Sequence, residues 1–114
     1  MNDCLFCKIA NKEMATDLIY EDDVLVAFHD ISPKAPTHIL IIPKKHIATP
    51  NDIEEEDCQL IGKLMLTARK LAADLGFCEK GYRLVMNCNT QGGQAVYHIH
   101  LHLLAGRQMS WPPG

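Results

Sequence analysis

The stretch Tyr97-His98-Ile99-His100-Leu101-His102-Leu103-Leu104 decides how the last third of the chain folds. Its three histidines alternate with apolar residues, the period-two pattern of a β-strand that rests one face on a core. Read as a helix, the same residues would scatter around the axis without a clear face. The pattern therefore predicts a strand with three imidazoles on one face, roughly 6–7 Å between neighbours.

Three imidazoles on one strand face predict a chemical site. An imidazole has an ordinary pKa of about 6.5, so near neutrality it can act as nucleophile, acid, base or metal ligand. His38 and His46, from another predicted strand and its end, add to the set. Two chemistries remain open here. Alternate histidines could chelate a tetrahedral zinc ion, or one histidine could attack phosphorus while another donates a proton.

The loop before the histidine strand favours the phosphate chemistry. Gly92 and Gly93 offer backbone N–H groups with no side chain in the way, and Asn87 and Gln94 add neutral donors. A zinc hydrolase more typically carries a carboxylate beside its metal, whereas residues 84–104 contain no Asp or Glu. We therefore expect an anion-binding loop beside the histidines.

The rest of the chain predicts an α+β fold with an antiparallel sheet. Further apolar segments indicate strands at residues 18–20, 24–29, 38–43 and 82–87. Residues 4–9 read as a short helical or turn segment, and one long helix is predicted from Asp52 to Leu75. About five strands joined in several places by short loops favour this class, as one domain spanning residues 1–114.

The long helix has predicted start and stop signals. Asn51 or Asp52 can cap its first turn, and Gly76 can end it as a left-handed residue. The acidic residues 54–57 complement the positive end of the helix dipole, so we interpret them as structural. The predicted buried stripe consists of Ile61, Leu64, Ala68, Leu71, Ala72 and Leu75.

Composition excludes several classes of function. The chain has 114 residues, of which 47% are hydrophobic and 22% charged, as expected of a soluble globular protein. Its formal net charge of −3 gives no general attraction to nucleic acid or to an anionic membrane. With Asp3 and Lys8 near the start and no long apolar run, neither a signal peptide nor a membrane span is expected. Five cysteines without a secretory signal then indicate the reducing cytoplasm.

Taken together, these motifs resemble the histidine triad (HIT) superfamily, and within it the histidine triad nucleotide-binding (Hint) branch of purine nucleoside phosphoramidases. The resemblance spans nearly the whole chain and rests on residues 27–33, 35–38, 42–46, 92–94, 97–102, 106–109 and 111–114. It implies a HIT-like fold, in which a five-stranded antiparallel sheet is accompanied by one long helix and a short N-terminal helix. It also implies a homodimer whose two sheets join into one ten-stranded sheet.

The resemblance implies hydrolysis of the P–N bond of adenosine or guanosine phosphoramidates through a nucleotidylated histidine, without a catalytic cofactor. His100 is the implied nucleophile, and His102 and His38 would flank the phosphate and help to protonate the leaving amine. The implied nucleotide-binding residues are Asn87, Gln94, Gly93 and Val96 around the phosphate, and Phe28, Asp30 and Ile31 around the nucleoside. Ala95 departs from the branch, much of which has a serine there that contacts the phosphate.

The cysteine pair at the start of the chain acquires a meaning from the same resemblance. Two thiolates at C-x-x-C spacing can reach one metal ion, and some HIT proteins hold a structural zinc ion between such a pair and two histidines. The matching residues are Cys4, Cys7, His46 and His98, a closed and non-catalytic Cys₂His₂ set.

Two alternatives to a phosphoramidase are a nucleotide-binding regulatory or scaffold protein with vestigial hydrolysis, and a catalytic metallohydrolase.

Overall fold

Five antiparallel strands form one sheet, in the order β1-β2-β3-β5-β4, in the computed structural model, which describes residues 4–114. The strands are β1 (Leu18–Glu21), β2 (Leu25–His29), β3 (Thr37–Pro43), β4 (Arg83–Val85) and β5 (Leu101–Ala105). Every neighbouring pair is antiparallel. The predicted α+β class with a five-stranded antiparallel sheet is therefore confirmed. Residues 1–3 of the expected 1–114 domain lie outside the described residues.

Different helices cover the two faces of the sheet. The long helix α2 (Cys58–Asp74) packs on one face, where Leu64 and Leu71 meet Ile39 and Leu103. The short helix α1 (Leu5–Ala10) covers part of the other face, and a third helix, α3 (Asn89–Gly92), lies in the loop before β5. Because side chains alternate along β3, His38 lies on the same face as α1. Within residues 4–114, no helix has the length and apolarity needed to cross a bilayer.

The long helix starts later than predicted. Two 3₁₀ turns, Pro50–Asp52 and Glu55–Asp57, precede it. The Asp52 carboxylate accepts from the Thr49 backbone N–H at 3.1 Å, and Asp57 accepts from the Glu54 N–H at 2.9 Å. These carboxylates close the short turns instead of capping α2, which moves its first residue to Cys58. The predicted end is confirmed, since Gly76 has a φ of +86°.

The predicted buried stripe of α2 is mostly confirmed. Leu64, Ala68, Leu71 and Ala72 are buried, and Ile61 packs partly buried against them. Leu75 was predicted to be buried but is 49% exposed. Thr67, a polar residue outside the predicted stripe, is buried on the same face.

The histidine strand is shorter than predicted. β5 begins at Leu101, so only His102 of the three alternating histidines lies within a strand. The ladder with β3 ends at the Ile41–Leu101 pair, and the Pro43 carbonyl accepts from the His98 ring instead of from a strand backbone. The Ile99 N–H then donates to the Ile47 carbonyl at 2.8 Å. These bonds hold His98 and Ile99 against residues 43–47, outside the β3–β5 ladder.

Candidate active site

Three histidines meet at the junction of β3 and β5. His38 Nε2 lies 2.9 Å from His102 Nδ1, and the His100 and His102 ring centroids are 4.9 Å apart. His38 and His100 are buried, and His102 is partly buried. The antiparallel register brings His38 diagonally opposite His102, because Leu40 pairs directly with His102. The structure therefore brings together the three residues for which the sequence implied a catalytic role.

The hydrogen bonds of the His38–His102 pair determine where its protons lie. The Lys34 backbone N–H donates to His38 Nδ1 at 3.0 Å, so this nitrogen holds a lone pair when the ring is neutral. His38 Nε2 then carries the proton and donates it to His102 Nδ1. In a neutral His102 the remaining proton is on Nε2. Among the described residues, His102 Nε2 is the buried side-chain nitrogen or oxygen without a hydrogen-bond partner.

His100 is oriented by the backbone just before it. Its Nδ1 lies 2.8 Å from the carbonyl oxygen of His98, and a carbonyl can only accept, so Nδ1 carries the proton. The lone pair of a neutral His100 is therefore on Nε2. A phenylalanine ring, Phe6, packs edge-on against His100 with 5.0 Å between centroids. This arrangement leaves Nε2 as the nucleophilic atom of the ring.

Burial keeps these imidazoles neutral at pH 7. Desolvation lowers the pKa of His38 and of His100 from the ordinary value of 6.5. For His102, desolvation, reinforced by His100 and His38, lowers the pKa to about 4. Asp30 opposes these shifts, and its Oδ2 lies 3.5 Å from His38 Nε2. A neutral imidazole is the form that can attack an electrophile.

A cavity of about 340 Å³ opens beside the His38–His102 pair. Its size falls at the lower end of the range of small-molecule sites, about 300–1,000 Å³. It is lined by Asp30, Ser32, Lys34, His38, Val85, Asn87, His102 and Leu104. A larger hollow of about 570 Å³ near Lys80 and Arg107 contains no histidine, so the smaller cavity is the candidate site.

The residues implied to hold the nucleoside differ in their surroundings. Asp30 lines the cavity, and its Oδ1 also accepts from the Ser32 N–H at 2.8 Å, which supports the turn. Phe28 is buried beneath α1, 5.6 Å from the Phe6 ring. Ile31 is fully exposed. Asp30 is thus the member of this group that faces the histidines.

The loop implied to hold the phosphate is braced by Gln94. Its side-chain amide donates to the Ala48 carbonyl at 2.7 Å and accepts from the Asn89 N–H at 2.9 Å. Gly93 is exposed with a φ of +82°, and its N–H lies 3.1 Å from the Thr90 carbonyl. Val96 is partly buried against the α1 cluster. Of this implied group, Asn87 lines the cavity.

Sequence reasoning did not identify Ser32, Lys34, Val85 and Leu104 as lining residues. Ser32 and Lys34 flank Pro33 in the loop before His38, so that proline-containing loop was the available signal. Val85 and Leu104 are apolar and read as ordinary strand residues. They face the cavity because they lie on the same sheet face as His102.

A second cluster contains the four residues predicted to ligate a metal. The ligating atoms of Cys4, Cys7, His46 and His98 all lie within 4.8 Å of one another. Tetrahedral zinc with sulfur and nitrogen ligands places neighbouring ligand atoms about 3.3–3.8 Å apart. His98 Nδ1 lies 3.3 Å from both sulfurs and 3.2 Å from His46 Nδ1. His98 Nε2 donates to the Pro43 carbonyl, which leaves Nδ1 free to ligate, so the residues fit zinc.

Asp30, His38 and His102 form another group whose ligand atoms are close enough for a metal ion. Its hydrogen bonds argue against ligation. His38 Nδ1 accepts from the Lys34 N–H, so His38 Nε2 carries a proton and has no lone pair for a metal. The group is therefore better described as a proton-carrying pair beside a carboxylate.

The chain is similar to known proteins over almost its full length. The HIT domain family matches residues 11–109. A protein of Escherichia coli K12 named purine nucleoside phosphoramidase is 52% identical over 105 residues, covering 92% of this chain and 88% of its own. An uncharacterised HIT-like protein of Synechococcus elongatus is 49% identical over 98% of this chain and 97% of its own.

Solved structures agree with these sequence relatives. The crystal structure of a HIT family hydrolase from Legionella pneumophila superimposes with a TM-score of 0.96 at 59% identity, covering 98% of this chain and 100% of that chain. A histidine triad protein from Clostridium difficile gives a TM-score of 0.93 at 42% identity, with 96% of each chain covered. This chain belongs to the HIT domain family.

Proposed function

We propose that this protein is a nucleotide hydrolase that cleaves the P–N bond of adenosine or guanosine 5′-phosphoramidates through a nucleotidyl intermediate on His100. The observation that carries the proposal is the hydrogen bond from His100 Nδ1 to the His98 carbonyl, at 2.8 Å, which leaves the Nε2 lone pair for attack. The E. coli relative at 52% identity, named purine nucleoside phosphoramidase, supports the choice of substrate class.

In the first step His100 Nε2 donates its lone pair to the α-phosphorus, and the P–N bond breaks with its electrons on nitrogen. That nitrogen needs a proton to leave as a neutral amine. The His38–His102 pair is neutral in the free protein, and the anionic nucleotide raises its affinity for a proton from water. The protonated pair then donates the proton on His102 Nε2 to the leaving nitrogen and becomes neutral. Lowered histidine pKa values favour a fast transfer once the substrate is bound.

In the second step water attacks phosphorus and His100 Nε2 leaves with the electrons of its bond to phosphorus. The proton lost by water returns to the His38–His102 pair, which restores the state present before attack. The products are an amine and a nucleoside monophosphate, so atoms and charge balance over the two steps. The pair thus acts as acid in one step and base in the other.

The proposal assigns binding roles to the residues around the cavity. Asn87 lines the cavity and would donate to a phosphate oxygen, and Asp30 would accept from the ribose hydroxyls. Gln94 would act by holding the phosphate loop in shape, since its amide bonds to Asn89 and Val96 within the loop and to Ala48 outside it. The backbone of Gly93 and Val96 would complete the phosphate contacts. Phe28 and Ile31 would contact the nucleoside.

Trapping the intermediate tests the proposal. The protein is mixed with adenosine phosphoramidate, quenched within one turnover and digested, and the modified peptide is located by mass spectrometry. We expect an adenylyl group on His100, and none in a His100→Ala variant. A His102→Ala variant should still form the adduct, more slowly, because it keeps the nucleophile.

Two other functions predict different results. If adenosine phosphoramidate is turned over no faster by wild type than by His100→Ala, the protein is a nucleotide-binding protein with vestigial hydrolysis. If turnover stops after thorough chelation and returns with metal while the fold is unchanged, it is a catalytic metallohydrolase. Our proposal requires turnover that depends on His100 and survives chelation as long as the fold is retained.

We propose that Cys4, Cys7, His46 and His98 hold a structural zinc ion, which would link α1 to residues 46 and 98. Ligation requires both cysteines reduced, as expected in the cytoplasm. Metal analysis of protein purified without chelator should find about one zinc ion per chain. Less than roughly a tenth of an equivalent would reject the site. A Cys7→Ser variant lacks one ligand and should bind less zinc. Cys78→Ser changes an exposed cysteine outside the cluster, so it is the matched control and should bind zinc as wild type does.

We propose that the protein is a homodimer in which two sheets join through β4. This strand lies at the end of the sheet and pairs only with β5 among the described strands. An exposed edge is a template for another strand, and Met65 and Leu66 are half exposed on α2. Light scattering coupled to size exclusion should give twice the chain mass. A monomer at micromolar concentration would reject this assembly.

A further inference from the structure

Arg107 joins the segment after β5 to the loop before β3. Its Nε and Nη2 both donate to the Lys34 carbonyl oxygen, at 3.2 and 3.0 Å. Gly106 makes this approach possible, because it has a φ of +101° and a Cβ there would lie 2.8 Å from Pro36 Cβ. Two independent features thus bring the segment and the loop together.

The same loop residue reaches His38. The Lys34 N–H donates to His38 Nδ1 at 3.0 Å, so the two backbone polar groups of Lys34 have different partners. Its carbonyl is held by Arg107, and its N–H holds the imidazole. The loop is otherwise anchored at its start, where the Asp30 N–H donates to the His38 carbonyl at 2.9 Å. Arg107 is therefore the contact that orients Lys34 from outside the loop.

We propose that Arg107 is a positioning residue that fixes the tautomer of His38. By orienting Lys34, it keeps a donor against Nδ1 and so keeps the His38 proton on Nε2. This sets the direction of the 2.9 Å hydrogen bond from His38 to His102. The kinetic part of this inference rests on the proposed function, whereas the tautomer itself belongs to the free protein.

The direction of that hydrogen bond matters for the atom that faces the cavity. Without a donor at Nδ1, a neutral His38 can place its proton on either nitrogen. If the proton moves to Nδ1, His38 Nε2 becomes an acceptor, and His102 must carry its proton on Nδ1. His102 Nε2 would then change from a proton donor to an acceptor. His102 Nε2 could then no longer donate a hydrogen bond to an oxygen of the phosphoryl group.

Nuclear magnetic resonance of ¹⁵N-labelled imidazoles tests the inference without substrate. Long-range ¹H–¹⁵N correlations distinguish a protonated ring nitrogen from one with a lone pair. We expect wild-type His38 to carry its proton on Nε2 alone, and an Arg107→Met variant to show both tautomers. kcat should fall about three- to tenfold, the equivalent of one hydrogen bond, with KM changed less than about twofold. Arg107→Lys keeps one donor and should lie between the two.

Arg83→Met is the matched control. Arg83 also donates to a backbone carbonyl, that of Ser110, at 2.9 Å, so the variant loses the same charge and the same kind of bond. Its His38 tautomer and kcat should match wild type. The proposal is overturned if Arg107→Met keeps His38 in one tautomer, or if Arg83→Met changes it equally. If Arg107→Met does not fold, the same measurement is made on Arg107→Lys and Gly106→Ala. An unaltered His38 tautomer in both variants overturns the proposal.

The two proposals fail separately. A wild-type protein that does not hydrolyse phosphoramidates rejects the proposed function, but its His38 tautomer can still be measured. If the wild type is active but the His38 tautomer is the same in wild type and in Arg107→Met, only the positioning role is rejected.

Discussion

His98 belongs to two groups of residues through different atoms. Its ring nitrogen Nδ1 lies 3.3 Å from the sulfurs of Cys4 and Cys7. Its backbone carbonyl accepts from His100 Nδ1 at 2.8 Å. The residue that completes the cysteine cluster therefore also sets which nitrogen of His100 holds the lone pair. The two sites share one residue without sharing a side-chain atom.

We predict that protonation of His100 causes kcat/KM for adenosine phosphoramidate to decline on the acid side only below about pH 6.5. The attacking nitrogen must be unprotonated, and burial lowers the pKa of His100. Asp30 acts in the opposite direction and raises the pKa of His100. An Asp30→Asn variant should therefore move the acid decline to still lower pH, whatever its effect on the maximal value of kcat/KM.

The pH dependence of kcat/KM, measured with both proteins from pH 4 to pH 8, checks this prediction. A decline centred at or above about pH 6.5 in wild type would contradict the buried, neutral nucleophile. A decline that Asp30→Asn moves to higher pH would contradict the role given to the carboxylate.

The sequence marked candidate site residues but carried no information about the hydrogen bonds between them. Alternation marked His98, His100 and His102 as a set, yet their hydrogen-bond partners differ, and one has its ring in another cluster. These differences depend on contacts with residues far away in the chain, such as Lys34 and Pro43. Local spacing carries no information about such contacts. The cysteine cluster was accessible only through the family resemblance.

The short helix α1 connects the two sites at the scale of an element. Cys4 caps it, Cys7 lies within it, and Phe6 between them packs edge-on against both His98 and His100. The centroid distances are 6.1 and 5.0 Å. With only six residues, α1 is too short to be stable alone and depends on these contacts.

We predict that removing metal destabilises α1 and lowers the melting temperature of wild type by at least about 5 °C. Cys7→Ser should melt at this lower temperature with or without added zinc, because it lacks a ligand. Calorimetry of chelated and zinc-loaded protein gives the measurement, with Cys78→Ser expected to behave as wild type. Equal melting temperatures for chelated and zinc-loaded wild type would contradict a structural metal.

Element boundaries show what periodicity cannot detect. The apolar period predicted that α2 exists but put its start too early in the chain. The carboxylates of Asp52 and Asp57 close short turns that compete with a longer helix. Periodicity also extended β5 through His98, although Pro43 has no N–H and ends the ladder nearby. In both cases hydrogen bonds at an end, not the apolar pattern, decided the boundary.

At the scale of the whole molecule, the antiparallel α+β class followed from counting elements, but the strand order did not. β5 lies between β3 and β4, so the last strand of the chain is inserted inside the sheet. This pairing places His102 beside His38 in the middle of the molecule, where both are desolvated. Because the fold keeps these histidines uncharged, its free energy of unfolding depends on pH.

We predict that the free energy of unfolding falls as pH decreases from about 6.5 to about 4. An unfolded histidine has a pKa near 6.5, whereas burial lowers that of His102 to about 4. Between these values the unfolded chain binds more protons than the folded chain, so acid favours unfolding. One pKa unit corresponds to about 1.4 kcal/mol, so His102 contributes at most roughly 3 kcal/mol, and less because its ring is only partly buried. His38, whose pKa is also lowered, adds in the same direction.

Urea unfolding at pH 7.5, 6.5, 5.5 and 4.5 measures the effect, with chelator throughout so that metal release does not contribute. A His102→Gln variant cannot take up this proton, so its free energy of unfolding should depend less steeply on pH over the same interval. Carboxylates do not mimic this result, since the lowered pKa values of Glu21, Asp22 and Asp57 act mainly below about pH 4.5, the lowest pH measured, and are common to both proteins. Equal slopes for wild type and His102→Gln would show that burial of His102 is not what makes the fold sensitive to acid.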